Sequence, residues 1–92
     1  MNQTIIPLTP KAWTLLTDTD VTRLTFQARG GAIEIRFTTD TTEPDYNVAG
    51  MIYRDDTGET MKLISELVSD TSHVRAWARA VDGAADIFVD HA

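Results

Sequence analysis

The chain has 92 residues and no cysteine, and its eight basic and fourteen acidic residues give a formal net charge of −6. A chain of this length forms one domain, and without cysteine it has neither disulfides nor thiolate chemistry. The acidic balance argues against nucleic acid and membranes as partners, because phosphates and anionic lipids bind basic surfaces. Fourteen residues are threonine, which favours strands and forms helices poorly. The composition therefore predicts a small all-β protein.

The chain begins with an apolar stretch that contains prolines. Residues 1–10 are expected to form an N-terminal extended arm or an edge strand, since Pro7 cannot donate a ladder hydrogen bond. Residues 11–92 are expected to form the β-sandwich domain. Within the first segment, Ile5, Ile6 and Leu8 are candidates for contact with a neighbouring subunit. An extended terminal segment can add a strand to another chain.

Alternation of apolar and polar residues predicts the next strands. A short strand is expected at 12–16, followed by two clear alternating runs at 21–27 and 32–38. The pair Gly30-Gly31 separates these two runs, which predicts a hairpin between them.

The second half of the chain shows the same pattern of short strands and turns. Its predicted elements are a strand at 48–53 with Gly50 at a bend or bulge, a turn at 55–58, a strand at 59–63, a short helical turn at 64–68, a turn at 70–72, and strands at 73–80 and 85–90 around the turn pair Asp82-Gly83. Seven or eight short antiparallel strands predict an all-β fold, a single small β-sandwich or jelly-roll-like domain.

One predicted strand carries an unusual polar stripe. Arg75, Trp77 and Arg79 share one face, and alternating alanines fill the other. Small side chains suit a sheet face that packs closely on another layer. Two interpretations of the stripe stay open: Trp77 lies flat on the surface of its own domain between the arginines, or the three residues contact a partner subunit. Trp and Arg are enriched in interface hot spots.

The residue pattern does not predict catalysis, a metal or a cofactor. Ser72 and His73 are adjacent on a predicted strand edge and point to opposite faces. Asp86 and Asp90 lie about 13 Å apart along one strand, too far for a single zinc ion. The run 55–59 lacks the EF-hand spacing of a calcium loop and indicates a hairpin turn whose charges keep its tip soluble. We therefore expect a protein that is not an enzyme.

A pattern across most of the chain is carried by five segments, which are Leu8–Leu16, Val21–Gln27, Gly50–Tyr53, Val74–Ala80 and Val89–Ala92. Together they resemble the small all-β virion structural proteins of tailed bacteriophages. Such proteins serve as capsid decoration (cement) proteins or as head-fibre and tail components. The resemblance spans residues 8–92 and implies a non-enzymatic structural role with self-association on a capsid lattice. It also implies a location in the virion, on the head surface, after synthesis in the bacterial host cytoplasm.

The expected function is therefore that of a capsid decoration protein that binds the major capsid protein or another virion protein, as a homo-oligomer, and stabilises the head. A head-spike or tail component of the virion is the first alternative. A carbohydrate-binding β-sandwich module is the alternative from another class, because such modules stack sugars on exposed aromatic rings. The candidate rings are those of Trp13, Tyr46, Tyr53 and Trp77.

Overall fold

The computed structural model describes residues 2–17, 23–38, 42–45, 47–63 and 75–91. Within these residues the strands are β1 (Asn2–Leu8), β2 (Thr14–Leu15), β3 (Arg23–Arg29), β4 (Ile33–Thr38), β5 (Met51–Tyr53), β6 (Gly58–Leu63), β7 (Arg75–Ala80) and β8 (Ala85–His91). The predicted all-β fold class is confirmed. The helical turn predicted at 64–68, the turn at 70–72, His73 and Tyr46 lie outside the described residues.

The strands form two antiparallel sheets of four. Sheet A has the order β1-β8-β3-β6, and sheet B has the order β2-β7-β4-β5. Four strand pairs, β1·β8, β2·β7, β3·β6 and β4·β5, match the two arms of one long antiparallel hairpin. The turn of this hairpin is the β4–β5 connection. Rolling up this hairpin brings β8 against β3 and β7 against β4. The resulting eight-stranded double sheet is a jelly roll.

The apolar faces predicted from alternation form the core between the sheets. Leu24 and Phe26 of β3 are each 1% exposed, and Ile33 and Ile35 of β4 are fully buried. The alanines of β7 at positions 76, 78 and 80 belong to the same buried cluster. Because an alanine side chain is a single methyl group, it lets the opposing sheet approach closely, as the sequence pattern indicates.

The hairpin predicted at Gly30-Gly31 is wrong. β3 belongs to sheet A and β4 to sheet B, so the glycine pair carries the chain from one sheet to the other. Gly30 adopts a φ of 77°, and Gly83, in the β7–β8 connection, adopts a φ of 62° at an equivalent crossing. Turn chemistry specifies a reversal of the chain but not the sheet that receives the next strand. Crossing lets the apolar faces of both flanking strands meet in one core.

The N-terminal segment takes the edge-strand alternative. β1 ends sheet A and pairs with β8 along its whole length, from Asn2 opposite His91 to Leu8 opposite Ala85. The Thr9 carbonyl then accepts a hydrogen bond of 3.1 Å from the Ala80 N–H of sheet B. This bond ties the end of β1 to the other sheet.

Candidate functional site

The stripe of Arg75, Trp77 and Arg79 lies on the outer face of sheet B, on the opposite side from the core alanines. Trp77 is nevertheless only 5% exposed. Its indole N–H donates a hydrogen bond of 2.8 Å to the hydroxyl of Thr38. The chain itself therefore covers most of Trp77, and assignment of the stripe to a partner interface stays a prediction.

The part of the β4–β5 connection that directly precedes β5 packs on this outer face. We call Asp45 together with residues 47–50 the strap. The carbonyls of Asp45 and Val48 accept hydrogen bonds from Trp13 Nε1 (3.3 Å) and Arg79 Nη2 (3.1 Å). Two further bonds, from Arg36 Nη1 to the Ala49 carbonyl and from the Gly50 N–H to Glu34, complete the attachment. Side chains of β4 and β7, together with Trp13, thus hold the backbone of the strap.

An ion pair lies at the centre of this attachment. Arg79 and Glu34 are opposite each other in the β4–β7 register, and Arg79 Nε lies 2.8 Å from Glu34 Oε1. Their side chains are only 13% and 12% exposed. The Arg79 guanidinium also lies 4.3 Å from the ring centroid of Trp13, which is 4% exposed. Trp13, Arg79 and Glu34 therefore form a stacked, nearly buried layer.

The surroundings of Glu34 favour its charged form. Burial raises the pKa of Glu34, but the hydrogen bonds from Arg79 and the Gly50 N–H, with the charges of Arg79 and Arg36, outweigh it and hold the pKa below its ordinary value of 4.5. Because the pKa of Glu34 is lower in the folded than in the unfolded state, the charged side chain stabilises the fold at pH values above its unfolded-state pKa. This stabilisation is lost as the pH falls through its folded-state pKa.

We expect Glu34→Gln to remove part of the acid sensitivity of the fold. At pH 7 the variant should be less stable than wild type, because its amide cannot form the ion pair with Arg79. The difference in urea midpoint between the two proteins should shrink as the pH is lowered from 7 to 3, since wild-type Glu34 becomes protonated. Urea unfolding at several pH values measures this. A difference that stays constant over that range would contradict it.

Tyr53 is the second group with a perturbed pKa. Its ring packs edge-on against Phe26, with centroids 4.8 Å apart, and its hydroxyl donates a hydrogen bond of 3.1 Å to Glu59 Oε2. Burial, then the hydrogen bond to Glu59 and the Glu59 charge, raise the pKa of Tyr53 from 10.0 to about 12. This contribution to stability is present below pH 10 and is lost as the pH rises through about 12.

The Tyr53 pKa can be measured directly. Tyr46→Phe leaves Tyr53 as the single tyrosine, so the tyrosinate absorbance should titrate with a midpoint of about 12. Adding Glu59→Gln removes the negative charge and should lower that midpoint, because the charge of Glu59 no longer adds to the effect of burial on the Tyr53 pKa. A midpoint near 10 in the folded single-tyrosine protein would show that the Tyr53–Glu59 contact does not form in solution.

The acidic turn at 55–58 has a structural role in the fold. Asp55 Oδ1 accepts a hydrogen bond of 2.9 Å from the Gly30 N–H. The backbone of Asp56 and Thr57 bonds to Ala28 in both directions, at 2.8 and 2.9 Å. The turn joins β5 of sheet B to β6 of sheet A, so it is not the hairpin turn that the sequence suggested.

The three N-terminal candidates differ sharply in exposure. Leu8 is 1% exposed and belongs to the core, and Ile6 packs against the core. Ile5 is 56% exposed on the outer face of sheet A. Sequence reasoning missed Ile52, which is 62% exposed on the outer face of sheet B, opposite Glu34. Its signal was its position in the strand, where it alternates with Met51 and Tyr53, which are both less exposed.

The aromatic residues considered for sugar stacking are largely covered. Trp13 and Trp77 are 4% and 5% exposed, and Arg79 occupies one face of the Trp13 ring. Tyr53 is partly buried against Phe26. Since stacking needs an open ring face, these three rings do not offer a platform in this conformation.

Two open grooves lie at the surface of the sandwich. One, of about 350 Å³, follows the strap and is lined by Ile35, Arg36, Phe37, Ala49, Gly50 and Met51. The other, of about 450 Å³, lies on sheet A and is lined by Thr25, Phe26, Gln27, Asp56, Thr57, Gly58, Thr60 and Phe88. Among the described lining residues each groove has one charged side chain, Arg36 or Asp56.

The described residues contain no group of three or more histidine, cysteine or acidic residues placed to hold a metal ion. In the same part of the chain there is no helix long and apolar enough to cross a membrane. No protein-family model, no curated protein and no solved structure matches this chain.

Proposed function

We propose that the chain is a non-enzymatic structural protein of a tailed-phage virion, and that it acts as a decoration (cement) protein on the head. The observation that carries the proposal is the placement of two exposed isoleucines. Ile5 lies on the outer face of sheet A and Ile52 on the outer face of sheet B, with 56% and 62% of their surface exposed. A domain with an apolar contact on each face can bridge two neighbouring subunits.

The energetics of such a bridge depend on repetition. Burying a half-exposed isoleucine contributes about 1–2 kcal/mol, which is too little for one stable contact. Many copies on a capsid lattice add these contributions, because each bound copy links neighbours that are already held in place. Weak apolar contacts can therefore strengthen a shell against pressure from the DNA packaged within it.

The architecture also supports the proposal. Jelly rolls recur in viral capsid and lectin domains, although a fold by itself does not assign a function. The strap and the Glu34–Arg79 ion pair fix the outer face of sheet B next to Ile52. A contact residue on a rigid support loses little conformational freedom on binding.

The location of the protein in particles tests the proposal. An antibody raised against the purified chain is applied, with gold labelling, to density-purified phage particles from the bacterial strain that carries the gene. We expect label on the heads. Label confined to a spike or a tail would move the protein to the alternative virion role. Particles that contain none of the protein would contradict a virion function.

A binding assay tests the role of Ile52. Purified protein is added to particles from a strain in which the gene is deleted, and the bound fraction is pelleted. Ile52→Lys should weaken binding at least tenfold, since it places a charge in an apolar contact, whereas the control Asp82→Asn changes an exposed loop residue and should bind as wild type does. Equal binding by wild type and Ile52→Lys would remove Ile52 from the contact.

A further inference from the structure

β1 is the edge strand at one side of sheet A. Among the described residues no strand lies on the side of β1 that faces away from β8. β1 has seven residues, whereas the edge strands of sheet B have two and three. The other edge of sheet A, β6, is interrupted by a shift of register opposite β3. A long and regular edge is a template for a further strand.

We propose that β1 pairs with β1 of a second copy of this chain, antiparallel and about a two-fold axis at Ile5. Ile5 is the central residue of Asn2–Leu8, so the whole strand is used when Ile5 lies opposite itself. The pairing joins two copies of sheet A into one sheet of eight strands. In this pairing the neighbour that Ile5 contacts is a second copy of the chain, whereas the virion role is tested through Ile52 and through the location of the protein in particles.

Pro7 indicates which backbone groups face the open edge. A proline is tolerated in an edge strand when its nitrogen faces away from the neighbouring strand, here β8. Gln3 and Ile5 have the same parity as Pro7, so their N–H and C=O groups also face the open edge. In the two-fold register the two Ile5 residues exchange two hydrogen bonds, and each Gln3 N–H donates to the Pro7 carbonyl of the other copy. Four hydrogen bonds then link the copies.

The side chains on the outer face fit the same register. Ile5 lies opposite Phe88 of β8, which is partly buried. Pairing at Ile5 creates a row with the order Phe88, Ile5, Ile5, Phe88 across four strands, at a spacing of about 4.8 Å. Each exposed Ile5 is then covered on its open side by an identical apolar side chain.

Charge favours this edge for self-association. The chain has a net charge of −6, but residues 2–8 contain no charged side chain. On the neighbouring strand β8, Asp86 and Asp90 carry carboxylates and lie opposite Pro7 and Gln3. In the paired form, the β8 strands that carry these carboxylates in the two copies are separated by three strand spacings, about 14 Å. This separation exceeds the Debye length of about 8 Å at physiological salt.

Sedimentation velocity of the purified protein tests the pairing. We expect a concentration-dependent rise from the chain mass of 10.2 kDa to twice that value. Ile5→Lys should weaken dimerisation at least tenfold, because it places two like-charged side chains directly opposite each other at the axis, with Cβ atoms about 5 Å apart. Ile52→Lys is the matched control, since it changes a similarly exposed isoleucine on the other sheet and should dimerise as wild type does.

Single-cysteine variants test the register. The chain has no cysteine, so Ile5→Cys and Ile52→Cys each provide one reactive site. A short bismaleimide should crosslink Ile5→Cys into a covalent dimer and leave Ile52→Cys monomeric, while near-UV circular dichroism reports that both variants fold.

Three results would overturn the β1 pairing: a wild-type protein that stays monomeric to its solubility limit, an Ile5→Lys variant that dimerises as well as wild type, or equal crosslinking of the two cysteine variants. The virion role is tested separately. A dimer that is absent from phage particles contradicts the virion role alone, and a monomer that labels phage heads contradicts the β1 pairing alone.

Discussion

Arg79→Ala is expected to lower the free energy of unfolding by about 3 kcal/mol. The change removes the ion pair to Glu34 at 2.8 Å, the hydrogen bond to the Val48 carbonyl at 3.1 Å and the contact with the Trp13 ring at 4.3 Å. It also leaves the Glu34 carboxylate nearly buried without its cation. Loss of one partner from a buried pair costs about 3–5 kcal/mol. The lower end applies because both side chains retain some contact with water.

A loss of this size would be large for this domain. A chain of 92 residues has a total stability of about 5–14 kcal/mol at typical values per residue. Urea unfolding followed by tryptophan fluorescence measures the change, and Trp13 reports on the altered layer itself. The control is Arg54→Ala, which removes an exposed arginine and should change stability by less than about 0.5 kcal/mol.

A double-mutant cycle separates the ion pair from the other contacts of Arg79. If Glu34 and Arg79 interact as the geometry indicates, the combined variant Glu34→Gln with Arg79→Ala should be more stable than the sum of the single effects predicts, by about 1–3 kcal/mol. Additive effects, or an Arg79→Ala variant as stable as Arg54→Ala, would mean that the strap is not held by this pair in solution.

The strands of this fold could be predicted from local sequence. Alternation is a local property, and it assigned the buried faces of β3, β4, β7 and β8 because each strand places every second side chain in the same core. The alanines of β7 likewise indicated a face packed against another layer, and the structure buries them.

The connections between strands could not be predicted in the same way. Gly30-Gly31 and Asp82-Gly83 both mark reversals of the chain, and both cross between the sheets. Whether a reversal ends in the same sheet depends on pairs such as β1·β8, whose members lie at opposite ends of the chain. Local turn chemistry carries no information about these pairs.

In the candidate site, too, the face of a strand could be predicted from the sequence, but contacts between residues distant in the sequence could not. The sequence placed Arg75, Trp77 and Arg79 on one strand face, which is a local property. It did not show that Arg79 contacts Glu34, 45 residues away, or that the Val48 carbonyl lies above the same face. These contacts depend on the β4–β7 register and on the path of the strap. These contacts make Arg79 part of a layer that supports the fold, and contact of the stripe with a partner subunit stays a prediction.

Gly58→Ala is expected to be the most destabilising of the glycine substitutions that we consider, with a loss of about 3 kcal/mol or more. A Cβ atom at this position would lie 1.9 Å from the Phe26 carbonyl oxygen and 2.7 Å from its carbonyl carbon. Both are backbone atoms of β3, and Phe26 is only 1% exposed. The clash can be relieved only by separating β6 from β3 or by moving Phe26 within the core.

Gly83→Ala is the matched control for this substitution. Gly83 has a φ of 62°, and no atom lies within 4 Å of the position of a Cβ there. Alanine at 83 should therefore cost only the strain of the left-handed backbone, about 1 kcal/mol. Urea unfolding compares the two variants, and amide hydrogen exchange of β3 should show faster exchange in Gly58→Ala alone. If both substitutions cost the same, the close approach of Gly58 to Phe26 does not exist in solution, and the pairing of β3 with β6 at this point is wrong.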